Sequence, residues 1–280
     1  MINWEKEWKK RTMEEKKAGN RIDVIDYWNK RAEDYTDYIR TSNYEHGKKI
    51  VEIFEREELL KPNFKVLDIG AGPGSVSIPF AEVVKKVTAI EPASEMVKYL
   101  MENAREKGLK NIEVINKKWE EVNIAKLKSK FDIVVCSHAI WLFENIGEFI
   151  TEMNKVSKKY CCIAEGVGID ESWCKVYKKL GIPLQRFDRF IYLYNILYQK
   201  GILANVRIID TFMRRSIQSA INMYEIYLSK YKEPTKEDKE IIRNHVFLNS
   251  EDGIYKIKNK MAVIWWEKDS IATAKKSKRG

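Results

Sequence analysis

Cysteine and histidine are scarce in this 280-residue chain, with four Cys and three His. Cys136, Cys161, Cys162 and Cys174 have no CxxC spacing, and His46, His138 and His245 lie far apart, so no metal-ligand cluster is recognisable and no metal is expected. Three of the four cysteines fall in or beside strand-like runs, which reads as buried free thiols. Long apolar runs are missing too. The least polar stretch, Phe131 to Phe143, is about 13 residues long and contains Asp132, Ser137 and His138, too short and polar to cross a hydrocarbon layer of roughly 30 Å. The N-terminus, charged from residue 5 onward, lacks the apolar segment of an export signal, so a cytoplasmic location is expected. Aromatics at 11% and regular apolar runs exclude disorder over most of the length, because they can bury enough surface to offset chain entropy.

An acidic excess is also absent. Lys and Arg number 51 against 41 Asp and Glu, a net +10. From Met1 to Arg31 the balance is +3, and from Asp269 to Gly280 it is again +3, leaving +4 for the middle. A basic total invites a nucleic-acid reading, but charge spread over helices and interleaved with Glu signals solubility instead. The excess is therefore expected at the periphery.

Between about Asn63 and Glu165 the pattern switches repeatedly from a short β-branched run to a helical period, as parallel α/β folds require. The runs KVLDIG (65–70), VTAIE (87–91), IEVIN (112–116), FDIVVCS (131–137) and YCCIAEG (160–166) predict five strands of a doubly wound, mostly parallel sheet. Three helices are expected before it and several after it. GIYKIK and MAVIWWE read as a closing hairpin joined by Asn259 and Lys260, and His46 and His245 as surface positions.

The strongest chemical signal is VLDIGAGPGSVSIPFA (66–81): a buried strand, Asp68 at its end, then Gly70, Ala71, Gly72 and Gly74 before a helix. Glycines let the backbone turn sharply and admit a ligand close to the main chain. Glu91 ends the next strand, 21 residues after Gly70, the spacing at which an acid in such folds binds the two hydroxyls of a ribose. A dinucleotide site wants G-x-G-x-x-G, whereas here the third glycine comes one residue early and Ser75 stands in its place. Adenosine with a zwitterionic amino-acid tail suits Asp68 better than a diphosphate does.

An acid followed by G-x-G-x-G resembles the class I S-adenosylmethionine-dependent methyltransferases, of Rossmann-like fold. The resemblance runs from about Trp28 to Glu165 and is nearest to the small-molecule branch that holds quinone-biosynthesis and malonyl-carrier methyltransferases. It rests also on DYWNKRAEDY, IEPASEMVKYLMENA and FDIVVCSHAIWLFENI. It implies S-adenosylmethionine as cofactor, with Asp68, Gly70, Ala71, Gly72, Gly74, Glu91, Pro92, Met96, Ser137 and His138 around it. Trp119 and Glu120 stand where the family meets the adenine, although Lys117, Lys118 and Trp119 replace its usual Gly-Asp-Ala segment. The corresponding organisation is an N-terminal helical cap (1–48), a cofactor-binding core (49–168), lid helices with closing strands (169–268) and a basic tail (269–280).

Transfer from a sulfonium asks for positioning and desolvation more than for side-chain chemistry. His138 is the candidate base, Tyr35 a second catalytic candidate, and Trp28, Tyr38, Trp141, Tyr194 and Tyr198 are candidates to line an acceptor pocket. For the last two, the aromatic segment DRFIYLYNILYQKGILANV (188–206) would form a lid. The expected partner is a small-molecule acceptor, its atom left open among oxygen, nitrogen, carbon and sulfur. Methylation of tRNA, rRNA or protein through the basic periphery is an alternative. It lacks the Asn/Asp-Pro-Pro-aromatic motif of adenine-N6 enzymes. A catalytically silent, cofactor-binding regulatory subunit is the second alternative.

Overall fold

The computed structural model describes residues 2–168, 171–183 and 188–268. Three helices, α1 (Trp4–Ala18), α2 (Val24–Thr41) and α3 (Glu45–Arg56), precede the sheet. The alternation then runs β1 (Lys65–Ile69), α4 (Ser77–Val83), β2 (Lys86–Ile90), α5 (Ser94–Glu106), β3 (Ile112–Ile115), α6 (Ile124–Leu127), β4 (Phe131–Ser137), α7 (Ile146–Val156) and β5 (Ser157–Gly166). After it come α8 (Glu171–Lys179), α9 (Arg189–Gln199), β6 (Asn205–Ser216), α10 (Ile217–Ser229), α11 (Lys236–Leu248), β7 (Ser250–Glu251) and β8 (Ile254–Glu267). The spatial order is β3-β2-β1-β4-β5-β8-β6, with the short β7 paired to β8. The first five strands are parallel, and β8 runs antiparallel between β5 and β6. Among the described residues no helix is long and apolar enough to cross a membrane.

Strand periodicity of two explains why the central strands read as unbroken apolar runs: both faces are covered. Val66, Ile133, Val135, Cys162, Ala164, Val263 and Trp265 face one core with Ile50, Phe54 and Phe80 of α3 and α4. Leu67, Val134, Cys136, Cys161, Ile163, Ile264 and Trp266 face the other, with Phe149 and Met153 of α7 and Leu193 and Ile196 of α9. Cys136, Cys161 and Cys162 are thus buried free thiols, and Cys174 is free and half-buried.

The expected closing hairpin is one continuous strand. Asn259 and Lys260 do not turn; they pair with Thr211 and Asp210 of β6, and Lys258 and Lys260 both bridge to Asp210. A two-residue hairpin needs positive φ at its tip, which Asn-Gly supplies and Asn-Lys does not. β6 correspondingly runs over 12 residues to pair with it. The outer halves of β6 and β8 carry a third core, where Val176 and Leu180 of α8, Tyr224 and Leu228 of α10, Ile242 and Val246 of α11, and Tyr255 pack together. The tail over 269–280 lies outside the described residues.

Candidate functional site

The carboxyl ends of β1, β2 and β4 meet the N-terminal helices around a cleft. Its walls are Gly70 and Gly72 after β1, Glu91, Pro92 and Ala93 after β2, Met96 of α5, Ser137, His138, Ala139, Trp141 and Leu142 after β4, and Val24, Ile25, Trp28 and Tyr35 of α2. Open α/β sheets bind ligands at this edge.

Gly70 and Gly72 turn with φ of 73° and 53°, in the left-handed region. A Cβ on Gly70 would stand 2.6 Å from the Ala139 Cβ, and one on Gly72 would point toward the Tyr35 ring. The loop is tied to Glu91: the Gly72 N–H donates to Oε2 and the Ala93 N–H to Oε1, both at 2.9 Å. Burial raises the Glu91 pKa, and these two donors oppose that shift. Asp68 is behind the loop, 1% exposed, and accepts from the Ser77 Oγ at 2.7 Å. Burial lifts its pKa to about 7, against the Ser77 hydrogen bond. The loop, the carboxylate of Glu91 and the enclosing rings fit an adenosine-bearing amino-acid cofactor.

His138 follows β4 in a left-handed conformation, φ 53°. Its N–H donates to the Ala164 carbonyl at 2.8 Å, and its own carbonyl accepts from the Trp141 Nε1–H at 3.0 Å. The imidazole stacks on His46, centroids 4.8 Å apart, and Nδ1 lies 4.0 Å from Glu165 Oε1. Its Nε2 is buried with no hydrogen-bond partner among the described residues. Burial lowers the His138 pKa, Glu165 opposes that, and Arg189 adds to it.

Two expected surface histidines are thereby corrected. His46 is held between His138 and the Tyr38 hydroxyl, and His245 bonds the hydroxyls of Tyr224 and Tyr255. Each sits on a helix face turned to an aromatic neighbour, which helical periodicity alone did not reveal.

A second, larger cavity of about 700 Å³ opens beside the cleft, and Val24, Trp28, Tyr35 and Trp141 line both. It is walled by α1, α2, α8, α10 and the turn of β6 into α10. Trp28 and Trp141 therefore stand where an acceptor wall was expected. Tyr38 does not: it is 3% exposed and packs under the Arg215 guanidinium, 5.1 Å from its ring centroid. Tyr194 and Tyr198 are also outside both cavities. α9 turns Leu193, Ile196 and Leu197 into the sheet core, which leaves Tyr194 at the edge of that core and Tyr198 63% exposed. The expected aromatic lid is thus a core-packing helix, of which only Arg189 reaches the larger cavity.

Trp119 and Glu120 lie away from the cleft. Trp119 packs against Phe149 and donates to Glu152 at 2.6 Å, and Glu120 is exposed. Ala71 and Gly74 belong to the loop but do not line the cleft. Residues that the sequence did not single out include Ile25, Ala93 and Leu142 in the cleft, and Tyr27, Arg31, Arg189, Arg215 and Lys230 in the larger cavity. For Tyr27 and Arg31 a signal existed: Tyr27, Arg31 and Asp34 recur at i, i+4 and i+7 within DYWNKRAEDY, one face of a helix.

Residues 60–201, just over half of the chain, match the family model described as "Methyltransferase domain". An uncharacterized protein of Haemophilus influenzae is 29% identical over 213 residues, 74% of this chain and 77% of that one. A ubiquinone biosynthesis O-methyltransferase of Rickettsia conorii is 32% identical over 91 residues, 32% of this chain, and the chain spans only 30% of that enzyme. Among solved structures, a methyltransferase from Bacillus halodurans aligns with TM-score 0.52 at 19% identity, over 78% of this chain and 97% of that one, a likeness of fold. With Gly70, Gly72 and Glu91 lining one cleft at the carboxyl edge of the sheet, the chain belongs to the methyltransferase-domain family and is a class I S-adenosylmethionine-dependent methyltransferase.

Proposed function

We propose that this enzyme methylates a small molecule enclosed in the larger cavity. The observation that carries the reading is the shared frame of Val24, Trp28, Tyr35 and Trp141, which joins the cofactor cleft to a chamber between helices. The likeness to a ubiquinone biosynthesis O-methyltransferase supports a small acceptor.

When bound, S-adenosylmethionine supplies an activated sulfonium methyl. Glu91 would hold the ribose hydroxyls, Pro92 and Met96 would pack near the adenine, and Gly70 and Gly72 would admit the methionine portion. Asp68 acts as a positioning residue, since it props Ser77 at the start of α4 rather than lining the cleft. Trp28, Tyr35 and Trp141 exclude water and present aromatic faces to positive charge. The residues around the cleft would hold the acceptor in line with that methyl group, with the cofactor's sulfur as the leaving atom. An acceptor that carries a proton gives it to His138 Nε2, kept neutral by burial and flanked by Glu165. A cytoplasmic location, and the division into cap (1–48), core (49–168), lid and closing strands (169–268) and basic tail (269–280), belong to the same proposal.

The test is transfer of a tritiated methyl from S-adenosylmethionine to a low-molecular-weight cell extract, to total tRNA and to denatured protein, side by side. Label in the small-molecule fraction, lost in His138→Gln, is the expected result. Label in tRNA or protein instead would overturn the small-acceptor reading, and no turnover on any fraction would favour a silent subunit.

A further inference from the structure

The larger cavity is not only aromatic. Its wall carries five cations; Lys16 pairs with Glu144 at 2.8 Å and Arg189 with Glu15 at 2.6 Å, which leaves Arg31, Arg215 and Lys230 to consider. Surface cations would be unremarkable, but two of these are among the most enclosed side chains of the molecule. Arg31 is 5% exposed and Arg215 is 1% exposed. Both depend on one carboxylate: Arg31 Nε donates to Asp34 Oδ1 and Oδ2 at 2.8 and 2.9 Å, and Arg215 Nη1 donates to Oδ2 at 3.1 Å. Two guanidiniums on one carboxylate leave a positive charge over. Arg215 Nε is buried with no hydrogen-bond partner among the described residues.

Lys230, at the end of α10, has no carboxylate within 4.0 Å among the described residues. Its ammonium instead lies over three rings, 5.0 Å from the centroid of Tyr27, 5.3 Å from Tyr227 and 5.8 Å from Trp141. Trp141 also lines the cofactor cleft, so this ammonium flanks the passage between the two spaces. Burial lowers the Lys230 pKa, Glu15 opposes the shift, and Arg189 and Arg31 add to it; Arg215 is lowered by burial and then by Arg31. Desolvated cations in excess of their partners are costly unless something negative joins them.

On the reading of a small acceptor given above, we propose that the acceptor is anionic, a flat molecule whose carboxylate or phosphate oxygens are bound by Lys230 beside the Tyr27 and Tyr227 rings, with the buried Arg31–Asp34–Arg215 cluster adding positive field behind them. An ammonium binds either oxyanion through charge-assisted hydrogen bonds, and the rings give the body of the acceptor an apolar seat. The anion would sit beside the passage between the two spaces, with the methyl-accepting end directed past Trp28, Tyr35 and Trp141 toward His138.

The test is calorimetry on protein saturated with S-adenosylhomocysteine, using 4-hydroxybenzoate, 4-hydroxyphenyl phosphate and the neutral 4-hydroxybenzamide as probes. At least one anion should bind ten times or more tighter than the amide. Lys230→Met should erase most of that preference while S-adenosylhomocysteine affinity stays within about threefold. The arms also separate carboxylate from phosphate. Binding of the amide equal to both anions, no binding of any probe, or an undiminished preference in Lys230→Met overturns the inference. Failure of the wild type to bind S-adenosylhomocysteine at all would instead count against the methyltransferase reading.

Discussion

His138 shows how much one residue's setting decides. A non-glycine residue in left-handed backbone costs on the order of 1–3 kcal/mol and persists only where its surroundings over-determine it. Here two backbone hydrogen bonds, the His46 ring and Glu165 do so, and they leave Nε2 as the unengaged atom. If the acceptor surrenders a proton, His138→Gln should lower kcat by about 10²-fold or more in a radiometric assay, with little change in cofactor affinity. Because burial holds the pKa below the ordinary histidine range, the neutral base persists to lower pH, and the acid limb of kcat/KM should fall below about pH 6.5. Glu165→Gln removes the charge that raises this pKa and should move the limb further to acid. The presence of a histidine at the end of β4 was legible in the sequence. Its stacking on His46 was not, since 92 positions separate them and α3 brings them together only in the fold.

Asp68 and His138 also pull stability in opposite directions. Asp68 has a folded pKa of about 7, above its unfolded value, so its contribution is present below about pH 4 and lost as pH rises toward 7. His138 has a lowered folded pKa, so its neutral burial costs stability as pH falls below about 6.5. In thermal melts from pH 4 to 7, Asp68→Asn should lose the rising-pH penalty, leaving the variant relatively better at pH 7 than at pH 4.

At the scale of elements, the long β6–β8 ladder shapes the larger cavity. Its outer half carries Arg214, Arg215 and Ser216 to α2, where Arg215 meets Asp34 and the Ser216 N–H donates to Asp37 at 2.9 Å. Removing the shared carboxylate strands two buried guanidiniums, so Asp34→Ala should destabilise by about 3–5 kcal/mol in urea denaturation, while the exposed Lys98–Glu95 pair should contribute under about 1 kcal/mol. Parallel strands and the glycine loop were readable because apolar runs, turn residues and acids fall at fixed local spacing. The ladder was misread at Asn259 and Lys260 because two polar residues in an outer strand resemble a turn when their partner, β6, lies some 50 positions earlier. α9 was misread as a lid because its aromatics surround the helix, and only the fold shows which stripe the core takes.

At the scale of the whole molecule, the net charge is not wholly a feature of the periphery. Arg31, Arg189, Arg215 and Lys230 come from three helices and a strand widely separated in the chain, and they meet around one cavity. No local pattern could have announced that. A cationic cavity set between helices suits a small anion better than a polyanion, so tRNA titrated at moderate salt should bind no tighter than about 10⁻⁴ M, the weak end of non-specific association. Micromolar affinity with a steep salt slope would move the acceptor into the nucleic-acid class.

The central claim is that the cleft between the glycine loop, Glu91 and α2 holds S-adenosylmethionine. Calorimetric titration of the wild type with S-adenosylmethionine tests it most directly, with Glu91→Ala alongside. Saturable one-site binding in the wild type, weakened at least tenfold in the variant, about 1.4 kcal/mol, is the predicted result. No binding by the wild type, or equal binding by both, would contradict it.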